Sequence, residues 1–164
     1  MSRAALAAFR LKFRRFDWEE RRALGEALLL LALGAVAVRL MPLKWIGRIA
    51  DAGPFGRPPR DADRVEVLTW MVGWAVQRAA RRSPLRAKCF EQGLTAQIML
   101  RRRGIDSTLF YGVGVAPCIE RPVRAHVWVE TERFPVVGRP EPGDFALLAT
   151  WPKGRRAIWA ECLS

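Results

Sequence analysis

Cys89 and His126 are the two residues of this chain whose types and spacing suit them to act together. A thiolate is a strong nucleophile and an imidazole can take its proton, so the two suffice for acyl transfer through a thioester. The chain holds a single histidine, 37 residues beyond Cys89, so imidazole chemistry must run through it. Cys89 falls where a helix should begin, just after Ser83-Pro84 closes the preceding helical pattern. In a first turn, unsatisfied N–H groups and the positive dipole end favour a thiolate, and Arg86 and Lys88 are close along the chain. A plain buried cysteine is the commoner fate of this residue type. A lone strand histidine is likewise more often structural. The pair therefore depends on the elements that position it.

Those elements give an α+β fold: N-terminal helices, then a core in which a Cys-bearing helix packs on an antiparallel sheet. Residues 1–52 read as helical. Residues 53–60, with three Pro and two Gly in eight, read as a linker, and 61–164 as the core. Asp17 and Glu20 open a helix whose apolar positions are Leu24, Leu28, Leu31, Ala35 and Val38, and which Pro42 stops. Its uncharged run, Ala27 to Val38, spans about 18 Å against about 30 Å for a bilayer core, which predicts a buried core helix. Arg10, Lys12, Arg14 and Arg15 ahead of it leave peripheral membrane contact as an alternative.

A second helix is predicted over 61–82 and a third over 88–103, with Gly104 just past its end and Arg101, Arg102 and Arg103 meeting its negative pole. On the third, Cys89, Gly93, Ala96 and Leu100 form a stripe that turns the cysteine toward the packed side. Period two then takes over. Strands are predicted at 109–115, 125–130, 135–138, 145–151 and 157–161.

A third residue should orient the imidazole. Glu130 shares His126's strand face but lies about 13 Å along it. Counting through the turn at 132–135 places Gly138 or Arg139 opposite His126, and neither can serve. Glu141 and Asp144 remain as candidates.

Three cysteines without a C-x-x-C pair argue against a disulfide framework and for a reducing cytoplasm. Cys118 and Cys162 have no base candidate nearby. The Cys and His spacing fits no zinc site, and Gly112-Val-Gly-Val lacks what a phosphate loop needs, so neither metal nor cofactor is expected. A net charge of +12 suits an acidic partner. No nucleic-acid recognition motif accompanies it, so no nucleic acid is expected as partner.

The segments PLRAKCFEQGLTAQIMLRRRGI (84–105), LFYGVGV (109–115) and AHVWVE (125–130), with the leucine-rich stretch 14–48, resemble the lasso peptide biosynthesis B2 proteins, which are transglutaminase-like cysteine proteases. The resemblance implies a leader peptidase that cleaves a ribosomally made precursor peptide. It also implies a separate leader-binding protein and a macrolactam synthetase as partners. By the same resemblance Cys89 is the nucleophile, His126 the general base, and Trp128 and Glu130 support the fold. The family's aspartate follows a Val-Gly pair; here Val137-Gly138 is followed by Arg139, which leaves Asp144, or Glu141, for the third role. Two other readings stand beside this one: a catalytically impaired scaffold, and a basic membrane or nucleic-acid binder.

Overall fold

A computed structural model describes residues 17–82, 88–114, 124–141 and 144–154. Within them run four helices, α1 (Asp17–Leu40), α2 (Leu43–Asp51), α3 (Ala62–Arg82) and α4 (Cys89–Arg102). Four strands follow: β1 (Thr108–Gly114), β2 (Ala125–Glu130), β3 (Pro135–Val137) and β4 (Phe145–Trp151). The strands form an antiparallel sheet in the order β3-β2-β1-β4. The α+β architecture, helices first, is the one the patterning predicts. The strand expected at 157–161 lies outside the described residues, as do Arg86, Cys118, Cys162, Arg10, Lys12, Arg14 and Arg15.

The N-terminal helical stretch is broken at Met41-Pro42 into α1 and α2, because proline lacks the N–H that would continue the ladder and pre-sets φ for a new first turn. The helix opened at Asp17 and stopped by Pro42 is α1, but the expectation that it is a buried core helix needs correction. α1 has 24 residues, about 36 Å, because the helix runs through the charged residues on either side of the uncharged run. By length and composition Trp18–Leu40 could cross a membrane, and only 28% of its apolar window is buried.

One core joins the helices to the sheet. Ala23, Ala27 and Leu31 of α1, Val72, Ala75 and Val76 of α3, Leu94 and Met99 of α4, and Leu109, Val127 and Val129 of the strands form a single buried cluster. Arg101, which the sequence places at a helix pole in water, is buried instead. Its guanidinium donates to Ile49 O (3.1 Å) and Ala50 O (2.5 Å), capping α2, and its own carbonyl accepts from Phe55 and Gly56 in the linker. Burial pulls its pKa below the ordinary arginine value. Arg102 and Arg103 pair with Glu26 of α1 at 3.1 and 2.7 Å.

Candidate functional site

Cys89 is the first residue of α4, following extended Lys88. The Lys88 N–H donates to Glu91 Oε2 at 2.7 Å, so the buried Glu91 carboxylate satisfies one of the orphan donors of that first turn. The thiol is half-buried against the main core. One turn on, Gly93 sets the seating of the helix. A Cβ there would come within 2.6 Å of Val127 Cγ1 and 3.4 Å of Leu109 Cδ1, an approach only glycine permits. Another turn on, Gln97 donates to Trp151 O at 2.7 Å. With Leu109 paired to Trp151, α4 runs along the sheet toward that end, and Cys89 lies at the opposite end, where β2 begins with Ala125 and His126.

Strand alternation fixes the face each residue takes. Val127 and Val129 point at α4, so His126 and Trp128 point the other way. There an aromatic row forms. Trp128 stacks on Phe110 at 5.4 Å and on the His126 ring at 6.2 Å, and Phe145 of β4 lies 5.1 Å from that ring. Gly112, paired with His126 in register, makes room for the row; a Cβ there would sit 3.1 Å from both Trp128 and Phe145. Gly112 thus serves ring packing, while Gly114 lies against the main chain of Arg124.

The His126 ring meets the main chain. Its Nε2 lies 2.5 Å from Gly138 O, which only accepts, so Nε2 carries the hydrogen and in the neutral ring Nδ1 keeps its lone pair. Gly138 holds φ +71°, and a Cβ there would lie 2.7 Å from Val127 O. The expectation that position 138 cannot serve considered side chains alone. Its main-chain carbonyl is what holds the ring, because β3 stops pairing at Val129↔Val137 and the chain turns out along the bare edge of β2.

Cys89 and His126 are brought to the same end of the sheet, but on different faces. Among the described residues, no hydrogen bond joins the thiol to the ring. Asp144 and Glu141 are exposed at the turn before β4, where the Asp144 N–H donates to Glu141 O at 3.2 Å. The bond at Nε2 belongs to Gly138 and to neither carboxylate. Glu130 and Trp128 are buried. Among the described residues no group of His, Cys, Asp and Glu could hold a metal ion. A groove of about 290 Å³ runs between α3 and β3, lined by Thr69, Trp70, Gly73, Trp74, Pro135 and Val136. It ends two residues short of Gly138.

Sequence reasoning missed the Gly138 carbonyl, the Glu91 cap and the aromatic row. The alternation Phe110–Gly112 against His126–Trp128 was the one signal for the last.

A family model for the transglutaminase-like superfamily matches residues 28–150, a segment that contains both Cys89 and His126. No curated protein matches the chain, and no solved structure does.

Proposed function

The chain belongs to the transglutaminase-like superfamily, and from that membership and the placement of Cys89 and His126 we propose that it is a cysteine peptidase that removes the leader of a lasso-type precursor peptide. The observation that carries this reading is a half-buried thiol on the first turn of a helix seated on a sheet, with the chain's one histidine at the same sheet end.

In this mechanism the Cys89 thiolate attacks the scissile carbonyl. N–H groups of the first turn of α4 stabilise the oxyanion. His126 gives the proton to the departing amine and then takes one from the water that hydrolyses the thioester. In the resting arrangement Gly138 O keeps hydrogen on Nε2 and leaves the Nδ1 lone pair free to accept a proton. To meet the thiol the ring must leave Gly138 O and its two ring neighbours, and the 138 segment must move off the β2 edge, a rearrangement this mechanism assigns to substrate binding. The groove beside Trp70 and Trp74 would take extended peptide, and the positive chain would attract an acidic leader or partner. A leader-binding protein and a macrolactam synthetase complete the proposed pathway, in the cytoplasm. Asp144 and Glu141 are left outside the reaction.

The test is cleavage of the precursor, with its leader-binding protein present, followed by mass spectrometry. Cys89→Ala should keep its fold and lose cleavage by at least about a thousandfold; unchanged cleavage ends the proposal.

A second reading, a scaffold that has lost turnover, draws on one observation: the imidazole stacks on the face away from the thiol. Alkylation of Cys89 separates the two. A pH-dependent rate that falls in His126→Asn supports the peptidase, and a rate indifferent to that change supports the scaffold.

A further inference from the structure

The packing of α1 is inverted relative to an ordinary soluble helix. Its inward face is small: Ala23, Ala27, Gly34 and Ala35, with Leu31 the one large side chain among the buried. Leu24, Leu30 and Val38 pack partly against the core, but five large aliphatic side chains point outward, among them Leu29 62% exposed, Leu33 56%, Val36 52% and Leu40 77%. A water-facing helix normally turns its leucines in and its charges out. Here the outward face carries charge only toward its two ends, at Arg21 and Arg22 and then at Arg39.

Two acids of α1 are held by the protein's own cations. Glu19 pairs with Arg64 at 3.0 Å, and Glu26 with Arg102 and Arg103. From Trp18 to Leu40 the exposed residues of α1 are apolar or arginine. Trp18 at the start of the helix is exposed. Past its end so is Trp45 of α2, with Arg48 stacked 5.0 Å over its ring and Ile49 exposed one turn on. Tryptophan and arginine bracketing an apolar stretch is the pattern of a helix lying at a lipid–water boundary.

We propose that the outward face of α1, with Trp45 and Ile49 of α2, docks on the surface of an anionic lipid bilayer. Leu28, Leu29, Leu33, Val36 and Leu40 enter the headgroup–acyl boundary, and Arg22 and Arg39 meet lipid phosphates. The helix lies on the membrane and does not cross it, because its other face is part of the core shared with α3 and α4. Charge selects lipid over a second copy of the chain: two such faces would bring arginines together between two +12 molecules, whereas anionic headgroups complement them.

The experiment is flotation of the full chain with vesicles of pure phosphatidylcholine and of phosphatidylcholine with phosphatidylglycerol. Binding should favour the anionic vesicles and weaken as salt rises. Arg22→Gln with Arg39→Gln should lower partitioning about fivefold per arginine. Leu29→Gln with Leu33→Gln should lower it at least about tenfold. Both pairs are exposed, so circular dichroism and Tm should match the parent, and the arginine pair carries the test if the leucine pair misfolds. No binding at low salt overturns the proposal. So does binding equal on both vesicles and indifferent to the arginines, or a lipid-free dimer that the leucine pair dissociates.

Discussion

Beneath α4 the sheet is aliphatic, with Leu109, Val127, Val129 and Val137 closed over by Gly93 and Leu94 in the main core. Its other face is aromatic, with Phe110, Trp128, His126 and Phe145 in a row over bare Gly112. The thiol's position is inherited from the first face, where helix and sheet meet at the closest distance the backbone allows. The imidazole's position is set by ring stacking and one bond to a carbonyl. Displacing α4 would disrupt the core, whereas turning the half-buried ring gives up two ring contacts and one hydrogen bond. The nucleophile is therefore the fixed part of the proposed site and the histidine the movable one.

Exchanging the movable part should have the largest effect. His126→Asn is expected to cut precursor cleavage about 10²- to 10⁴-fold with the fold intact; a loss under tenfold would remove the ring from the reaction. Disturbing the fixed part comes next. Gly93→Val forces atoms into Val127 and should lower stability in urea by about 2–3 kcal/mol; an unchanged midpoint would mean that α4 does not seat there. Gly138→Ala places a side chain at φ +71° against Val127 O and should cost about 1–3 kcal/mol while shifting the His126 ring resonances in NMR. Resonances that stay put would mean that the carbonyl does not hold the ring. The smallest effect belongs to Asp144→Asn, expected to change the rate less than about twofold, since the Nε2 bond goes to Gly138. A hundredfold loss would restore a carboxylate to the third role.

Much of this was legible in the residues. Period two placed β2 over 125–130 and β4 over 145–151, and the stripe Cys89–Gly93–Ala96–Leu100 gave the packed side of α4. Gly104 past α4 takes the left-handed φ of +69° that its place predicts. Three things escaped because they live in the main chain or in tertiary burial. A search for an orienting side chain cannot find a carbonyl such as Gly138 O. The two arginines before Arg103 share a residue type and a helix turn, yet Arg101 is buried and Arg102 is exposed. Alternation said that His126 and Val127 take different faces, but only the seating of Gly93 on Val127 says which face the helix covers.

The buried guanidinium of Arg101 has a consequence for anyone trimming this protein. A chain starting after residue 60 would lack both acceptors of that guanidinium and would strip Ala23, Ala27, Leu31 and Ile46 from the core that covers α3 and α4. Such a fragment should fail to fold, and the intact protein should melt in one step, its N-terminal third included.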